Sequence, residues 1–488
     1  MGERSARQPG ASIAAHSGQL DAFVADAPSP LPWYHRERSQ LHRRDPGLRV
    51  FRPSHTSAYE PRKVYPITTP DSAPVTPPST HPSQFPKLWA ASAASNAADG
   101  LTMFAGPLLA AALTRDPLLV AGLAFAQQVP WLIFTLVSGA IVDRLDRRLV
   151  LAGVAAFRAL LIAALGLATL LDATSLPLLY AVFFLIGTAE TVFDPASVTL
   201  LPAIVPRADL QQANARLSGT MTVLNQFTGP PLGGLLFGVA AALPFLIGGG
   251  LYAAAAAFVL TLRGRFRTGS HETRPSPAQL RREIAEGVRW LADHTFLRTL
   301  AITLGVMNLT MGATMAVMVL VAYERLGLTP FQYGVFNIAY AVGGIVASLM
   351  AHRVIQRVGM GRVLWYGIVL EAATWVVFAI SRDPFVVGTV WALFGAHAIA
   401  WGTVTVTIRQ TIVPSKLLGR VTSAYMTIAV GSGAIGAVIG GVLASGLDLS
   451  APFWFAAVLD VGVLIWAWRV LGQVPETDAE PTNAVSTP

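Results

Sequence analysis

Apolar runs long enough to cross a bilayer follow one another along most of the chain. A membrane-spanning helix needs about 20 predominantly apolar residues, and the pattern predicts twelve such helices between residues 88 and 472. Their predicted bounds are 88–113, 118–142, 149–171, 177–202, 216–239, 242–262, 298–322, 331–351, 362–381, 385–408, 421–445 and 451–472. The sequence therefore predicts an all-α integral membrane protein with twelve transmembrane helices.

The last six predicted spans repeat features of the first six. The segment 204–206, Ile-Val-Pro, recurs at 412–414, and the glycine-containing run 229–234 has a counterpart at 436–441. The charged turn after the second span also has a counterpart after the eighth. Because the matching features follow the same span number in each half, the halves have the same orientation. This is the pattern of a parallel repeat and predicts two pseudo-symmetric six-helix bundles.

The pattern divides the chain into five segments. They are a disordered, basic, proline-rich tail at 1–86, a bundle at 88–262, a cytoplasmic linker at 263–297, a bundle at 298–472 and a cytoplasmic tail at 473–488. Within the linker, apolar residues repeat at helical spacing opposite arginines, which predicts an amphipathic helix. A helix on the membrane interface and a soluble linker helix both fit this pattern. The first tail is either functional or the product of a start assigned too far upstream.

Composition and charge support the membrane class and exclude others. Hydrophobic residues make up 53% of the chain and charged residues 13%, whereas soluble domains carry about 25% charged residues. Cysteine is absent, which excludes disulfides and cysteine metal centres. Arginines and lysines gather in the links after even-numbered spans, while the other links carry Arg115, Arg325 and Arg382. Both termini are therefore predicted to be cytoplasmic, and the net charge of +8 does not indicate nucleic-acid binding.

Several predicted spans place ionisable side chains near the membrane midplane. A charge at this depth costs about 2.5 to 3.5 kcal/mol on insertion scales, so each one is a candidate functional residue. Glu190 and Asp194 are four residues apart and share one helix face. Two carboxylates in a site of low dielectric do not both ionise, so one would bind a proton reversibly. Alternatively, the pair only docks helices, with Arg158 as its partner; the sequence supports both interpretations.

Other polar side chains extend this set. Asp99, Asn308 and His397 are candidates for cavity or proton-coupling residues, and Asn225 and Asp460 lie at similar depth. Histidine can titrate near neutrality, although a buried histidine in a helix is more often simply hydrogen-bonded. The sequence shows no metal-ligand cluster, phosphate-binding loop or pairing of nucleophile and base. We therefore expect no metal, no cofactor and no enzymatic activity.

A charged turn joins the second and third spans. Its segment 139–148 reads Gly-Ala-Ile-Val-Asp-Arg-Leu-Asp-Arg-Arg. The arginines mark the cytoplasmic side, the first aspartate can accept hydrogen bonds, and the glycine allows close helix approach. This segment resembles the loop 2–3 signature of the major facilitator superfamily, with Asp146 where that signature has glycine. The resemblance implies an inner-side latch formed by Gly139, Asp143, Arg144, Arg147 and Arg148.

The fifth span carries a second resemblance. The residues Gly229, Pro230, Gly233 and Gly234 resemble the antiporter signature of exporters in the superfamily. The glycines permit close helix contact, and the proline frees a backbone carbonyl for a bend. The longer stretch 193–234 resembles the branch that contains enterobactin exporters and macrolide efflux proteins.

These resemblances imply a transporter whose two bundles rock around a central cavity. It would export a small organic molecule, such as a drug, an antibiotic or a siderophore-like compound, across the inner (plasma) membrane by proton antiport, as a monomer surrounded by lipid. In this superfamily the third span of each half tends to lie outside the cavity, so Arg158 and Glu371 are assigned to structural ion pairs. The alternatives are an importer or uniporter of the same fold, a non-transporting membrane sensor and a membrane enzyme.

Overall fold

The computed structural model describes residues 84–142, 146–264, 266, 277–414 and 417–472. The first half comprises α1 (Phe85–Leu113), α2 (Pro117–Val142), α3 (Arg147–Leu170), α4 (Leu176–Ile204), a 3₁₀ turn (Arg207–Asp209), α5 (Leu210–Met221), a π-helical segment (Thr222–Thr228), α6 (Gly229–Val239) and α7 (Leu243–Leu260). The linker contains α8 (Pro277–Asp293). The second half comprises α9 (Thr295–Met315), α10 (Met318–Leu320), a π-helical segment (Val321–Arg325), α11 (Pro330–Val358), α12 (Met360–Ile380), α13 (Pro384–Ile412), α14 (Leu418–Gly446) and α15 (Ala451–Leu471).

The all-α membrane fold predicted from the sequence is confirmed. Ten of the described helices are long and apolar enough to cross a bilayer. The two remaining predicted spans are also helical. Helix α1 fills the first of them and contains polar residues, among them Asp99, while the span 216–239 is divided among α5, the π-helical segment and α6. The total of twelve spans therefore stays a prediction.

Local caps fix the starts of helices at the ends of short links. The side chain of Asp383 accepts hydrogen bonds from the backbone N–H groups of Phe385 and Val386 at the start of α13. Thr329 and Gln332 form a capping box at the start of α11. Each cap satisfies backbone donors that have no partner within the helix. Proline at the first helical position of α11 and α13 adds to these start signals.

The same helix pairs pack in both halves. In the first half, α3 packs against α4 and α7, and α2 packs against α4. In the second half, α12 packs against α13 and α15, and α11 packs against α13. Helix α1 contacts α6 and α7, as α9 contacts α14 and α15. The repeated Ile-Val-Pro segments also coincide with equivalent helix ends, because α4 ends at Ile204 and α13 at Ile412.

The two halves meet along two helix pairs, α2 with α14 and α6 with α11. Gly234 and Gly441 occupy corresponding places in these contacts. A Cβ atom added at Gly234 would collide with the carbonyl oxygen of Pro330, and one added at Gly441 would lie 3.0 Å from Cα of Leu118. Because glycine has no side chain, the backbones can approach this closely. The repeated glycine thus brings the halves together near the starts of α2 and α11.

The two ends of the bundle differ in charge. The end where α3 and α12 begin, which we name the basic end, carries Arg147, Arg148, Arg298, Arg362 and Arg420. The other end, where α2 and α11 begin, is named the seam end. There Arg115 of the first half lies 3.8 Å from Glu324 of the second half, and its guanidinium carbon is 5.8 Å from the ring centroid of Tyr323. The first half therefore also contacts the second half at the seam end through exposed polar groups.

Helix α8 packs on the second half. Leu291 is buried in the core of that half, and Nη1 of Arg420 on α14 lies 2.5 Å from Oε2 of Glu286. A Cβ atom added at Gly287 would lie 2.9 Å from the backbone of α14. A helix is thus present where the linker pattern predicts one, whereas its position on a membrane interface stays a prediction. Residues 1–83 and 473–488, which include nearly all of the predicted tails, lie outside the described residues.

Candidate functional site

A buried guanidinium connects three helices of the first half. Nη1 of Arg158 on α3 lies 3.7 Å from Oδ1 of Asp99 on α1, and Nη2 lies 3.8 Å from Oε1 of Glu190 on α4. Tyr252 on α7 donates a hydrogen bond of 2.5 Å to the same oxygen of Asp99. The side chain of Arg158 is 3% exposed, whereas those of Asp99 and Glu190 are 19% and 21% exposed. These four residues, named the N cluster, therefore hold two carboxylates around one cation.

Three members of the N cluster, Asp99, Arg158 and Glu190, line a cavity of about 480 Å³. The cavity lining runs from Met103 and Asn225, in the middle of their spans, to Leu88 and Val259 near the basic end. Eleven of the twenty lining residues are apolar and nine are polar or charged, and the ring of Phe193 packs with its centroid 5.0 Å from the guanidinium carbon of Arg158. A cavity that combines apolar surface with polar groups is the usual form of a small-molecule site.

The ionised side chains within the N cluster do not balance one another. Two carboxylates share one guanidinium, so the four residues together carry one negative charge when Asp99 and Glu190 are both ionised. A buried charge of this kind is costly unless it is compensated. A proton on one carboxylate or a cationic group on a bound molecule would compensate it. The arrangement can therefore accept either a proton or an organic cation.

The second half contains a related group of polar side chains, named the C cluster. Nε2 of His397 on α13 lies 3.2 Å from Oε2 of Glu371 on α12. Thr310 on α9 donates a hydrogen bond of 3.3 Å to Oδ1 of Asp460 on α15. Glu371, His397 and Asp460 are all buried. Glu371 and His397 line a second cavity of about 270 Å³, together with Asn308.

The two clusters occupy corresponding positions of the repeated fold. Arg158 and Glu371 each stand eleven residues after the first residue of their helices, α3 and α12. Tyr252 and Asp460 each stand nine residues after the first residue of α7 and α15. The repeat therefore preserves the position of the polar group but not its chemistry, because the position held by the cation Arg158 in the first half is held by the acid Glu371 in the second.

The candidates predicted from the sequence are divided between the two cavities. Asp99 and Glu190 line the first cavity, whereas Asn308 and His397 line the second. The amide of Asn308 donates a hydrogen bond of 2.9 Å to a backbone carbonyl one turn earlier in its own helix. Asp194 lies on α4, but its side chain is outside the described part of the chain. The predicted pairing of Glu190 with Asp194 thus stays a prediction. Glu190 contacts Arg158, which is the partner that the helix-docking interpretation names.

Arg158 and Glu371 each line the cavity of their own half. The physical reason is the packing of α3 between α4 and α7, and of α12 between α13 and α15, which leaves one face of each third helix directed inward at mid-depth. Their expected position outside a central cavity between the halves stays a prediction. The two residues are not partners of each other, because Arg158 contacts Asp99 and Glu190 while Glu371 contacts His397. Their assignment to a structural role stays a prediction.

The predicted inner-side latch is only partly described. Gly139 lies near the end of α2, and Arg147 begins α3. Asp143 and Arg144 lie outside the described residues. The latch therefore stays a prediction.

Asp146 has a structural role that the signature does not supply. Its side chain accepts a hydrogen bond of 3.0 Å from the backbone N–H of Arg148 and another of 3.4 Å from that of Phe266. It thereby caps α3, a role that glycine cannot fill with a side chain. The guanidinium of Arg148 donates a hydrogen bond to the carbonyl oxygen of Leu260 at the end of α7. These contacts fasten the start of α3 to the end of the first half.

The glycines of the fifth span serve two different contacts. Cβ atoms added at Gly229 and Gly233 would crowd the backbone of α1, in the same half. One added at Gly234 would collide with the backbone at the start of α11, in the other half. A Cβ atom added at Gly334 on α11 would in turn collide with the carbonyl oxygen of Pro230. The run therefore packs α6 against α1 of its own half and against α11 of the other half.

The counterpart run in the second half repeats this division. Cβ atoms added at Gly436 and Gly440 would collide with the backbone of α9, and one added at Gly441 would crowd α2 of the first half. The sequence repeat thus corresponds to a repeated packing surface. The role of these glycines in antiport stays a prediction.

The two halves repeat the same helix packing, and each contains a cavity lined in part by ionisable side chains. This is the architecture of the class that the sequence motifs indicated, the transporters of the major facilitator superfamily. A family model described as transmembrane secretion effector matches residues 74–488. The chain belongs to this family, and it is therefore a transporter and not an enzyme. The resemblance to the superfamily that the motifs indicated is thus confirmed.

Named relatives and solved structures agree with this assignment. The chain is 27% identical over 380 residues to the multidrug efflux pump Tap of Mycolicibacterium fortuitum, which covers 74% of this chain and 90% of that pump. Identity to the pump Tap of Mycobacterium bovis (strain BCG / Pasteur 1173P2) is 27% over 416 residues, covering 79% and 94%.

Two solved structures share the fold. The nucleoside transporter NupG superposes with a TM-score of 0.60 at 14% identity, covering 79% of this chain and 98% of that one. A bacterial homologue of the iron transporter ferroportin in its inward-facing state gives 0.60 at 16% identity, covering 80% and 98%. At these identities the likeness concerns the fold alone.

Proposed function

We propose that this protein exports a small lipophilic organic molecule across the plasma membrane in exchange for protons. The observation that carries the proposal is the N cluster, where one buried arginine is shared by two partly exposed carboxylates in the wall of a cavity with both apolar and polar lining. The name of the relative Tap, a multidrug efflux pump, supports export of a drug-like compound. The substrate class that fits the cavity best is a lipophilic molecule with a positive charge.

The proposed coupling follows from competition for one negative charge. A proton bound to Asp99 or Glu190 neutralises the N cluster when the cavity holds no substrate. A cationic substrate would supply the same compensation and release that proton. Since the two ligands weaken each other's binding by the same free energy, exchange of one for the other across the membrane amounts to antiport.

The proposed orientation places the basic end in the cytoplasm, because arginines and lysines gather there. Both termini are then cytoplasmic. The halves contact each other at the seam end, and the cavity of the first half extends toward the basic end. This arrangement is suited to loading from the cytoplasm. Rocking of residues 88–262 against 298–472 would open the seam end for release. We further propose that the protein acts as a monomer within bilayer lipid.

The proposal is tested by accumulation of ethidium, a lipophilic cation, in a host that lacks its own efflux pumps. Cells that produce the protein should accumulate less ethidium than cells with an empty vector, and an uncoupler should abolish the difference. Glu190→Gln and Asp99→Asn should each accumulate the dye like the empty vector, because the cluster then loses a proton acceptor. Glu324→Gln removes an exposed carboxylate at the seam end and should export normally.

Other outcomes would overturn parts of this proposal. Export by Glu190→Gln and Asp99→Asn with unaltered dependence on external pH would exclude the N cluster as the coupling site. Uptake that persists after uncoupling would indicate an importer or uniporter. If no compound in a broad screen changes its accumulation, a non-transporting sensor is the better interpretation.

A separate prediction concerns the latch of Gly139, Asp143, Arg144, Arg147 and Arg148. Asp143→Asn should lower ethidium export while leaving the amount of protein in the membrane unchanged, because the neutral amide loses the charge that arginines would bind. Asp172→Asn is the control, since it makes the same chemical change in a link at the seam end. Full export by Asp143→Asn would remove the latch from the mechanism.

A further inference from the structure

The C cluster buries two carboxylates on neighbouring helices. Glu371 comes from α12 and Asp460 from α15, and these two helices pack against each other. Asp460 is completely buried. Thr310 donates a hydrogen bond to Oδ1 of Asp460, whereas Oδ2 has no hydrogen-bond partner among the described residues. A fully ionised pair would place two negative charges at mid-membrane depth, where one charge already costs about 2.5 to 3.5 kcal/mol.

The side chains around these carboxylates do not supply matching positive charge. Thr310 on α9 and His397 on α13 contact these carboxylates directly. Arg409 on α13 and Tyr425 on α14 line the same cavity as Glu371. Trp375 stands one turn after Glu371 on α12, and Tyr340 on α11 packs against Phe394, which also lines that cavity. Arg409 is the guanidinium in this set, and its carbon lies 4.6 Å from the ring centroid of Tyr425. No ion pair between Arg409 and an acid is found among the described residues. The nearest basic group to Glu371 is the imidazole of His397.

We infer that Glu371, His397 and Asp460 form a proton-binding site in the second half, distinct from the N cluster. Bound protons remove the uncompensated charge, and the unpartnered oxygen of Asp460 is one place for them. Glu371 and His397 share a contact of 3.2 Å, which a single proton can occupy from either side. Proton binding here forms an O–H or N–H bond on one of these three side chains, while an O–H bond of the donating hydronium ion breaks and leaves a water molecule.

The site has a route to water. Glu371 and His397 line the cavity of about 270 Å³, which also contains Arg409 near the basic end of α13. Asp460 does not line this cavity. A proton that enters through the cavity therefore reaches His397 and Glu371 first and Asp460 afterwards. Under the proposed orientation this route begins in the cytoplasm.

A proton fits the C cluster better than a metal ion. Metal sites in proteins bring three or more ligand atoms to a common centre. Among the described residues, no group of three or more His, Asp and Glu side chains has that arrangement. The cluster instead joins its members pairwise, through contacts of hydrogen-bond length.

Infrared spectroscopy tests the site without a transport assay. The purified protein is reconstituted into vesicles of phosphatidylethanolamine and phosphatidylglycerol, and the C=O stretch of protonated carboxyl groups is recorded in H₂O and D₂O. The wild type should show a protonated-carboxyl band at neutral pH that shifts on deuteration. Glu371→Gln or Asp460→Asn should remove that band or a resolved part of it. His397→Gln should keep the band and change its frequency, because the partner of Glu371 changes.

Matched variants separate this site from the proposed export function. Glu324→Gln, on the exposed surface, should leave the spectrum unchanged, and Asp99→Asn reports the contribution of the N cluster.

A band that disappears in Asp99→Asn but persists in full in both Glu371→Gln and Asp460→Asn would overturn the inference, as would a wild-type spectrum without a protonated carboxyl. If Zn²⁺ at constant pH displaces the band, the site is a metal site instead. If ethidium export fails while the band behaves as expected, only the proposed function falls.

The site is connected to transport by one further result, which depends on the proposed proton antiport. In vesicles with an imposed pH gradient, Glu371→Gln and Asp460→Asn should lose the gradient-driven component of ethidium flux. Exchange of ethidium at equal concentrations on both sides needs no net proton movement and should remain. Retention of the gradient-driven component by both variants would show that the C cluster does not take part in coupling.

Discussion

Replacing Arg158 by leucine should destabilise the protein strongly and abolish ethidium export. The substitution leaves the carboxylates of Asp99 and Glu190 without their shared cation inside the first half. Removal of one partner of a buried ion pair costs about 3 to 5 kcal/mol, and the partial exposure of the two carboxylates places the expected value near the lower figure. The midpoint of thermal unfolding in detergent should fall accordingly.

An exposed ion pair of the same length is the matched control. Arg115 lies 3.8 Å from Glu324, but its side chain is 64% exposed. Exposed pairs contribute about 0 to 1 kcal/mol, so Arg115→Leu should shift the unfolding midpoint little. The triple variant Arg158→Leu, Asp99→Asn, Glu190→Gln removes all three charges and should recover most of the lost stability without export. Equal midpoints for Arg158→Leu and Arg115→Leu would contradict the buried N cluster.

Valine in place of Gly234 should hold the two halves apart at the seam end. The added side chain would collide with the carbonyl oxygen of Pro330 at the start of α11. Overpacking of this kind costs about 1 to 3 kcal/mol, which corresponds to a shift of about 5- to 150-fold in a two-state equilibrium. Export should fall by a comparable factor while the protein still folds, because the collision exists only when the seam is closed.

Closure of the seam end can be measured directly by cross-linking introduced cysteines, because the chain contains no cysteine of its own. Cysteines introduced as Arg115→Cys and Glu324→Cys can be joined by a bifunctional thiol reagent when the seam is closed. Gly234→Val should reduce the cross-linking yield strongly. Gly238→Val is the control, since Gly238 lies one turn later on α6 and has open space around it. Equal yields in the two variants would show that the glycine contact does not control the seam.

Much of the fold can be predicted from the chain because bilayer thickness and positive charge impose regular patterns. Equivalent helices end at the repeated Ile-Val-Pro segments, and the repeated glycines lie at equivalent contacts. The π-helical segment Thr222–Thr228 was not predicted. Its backbone at Asn225 packs closely against Gly100, and such a change of winding results from tertiary contact rather than from an apolar pattern.

The candidate sites were only partly predictable. Counting residues from the span edges places Asp99, Arg158 and Glu190 at the same depth, but depth does not give the direction of a side chain. The contact of Glu371 with His397 was missed for the same reason. Counting from helix starts would have helped, because Arg158 and Glu371 occupy the same place in α3 and α12. That comparison requires helix bounds more accurate than apolar runs provide.

The contact between the halves at the seam end has a consequence for how the environment acts on the transporter. At the seam end, the described residues show close backbone packing at glycines and the solvent-exposed ion pair of Arg115 with Glu324. Dissolved ions screen exposed charges over about 8 Å at physiological strength, but they do not weaken steric contact. A change of salinity should therefore leave the resting conformation almost unaffected. Acyl-chain composition alters the lateral pressure on both bundles, and it should shift the balance between open and closed forms.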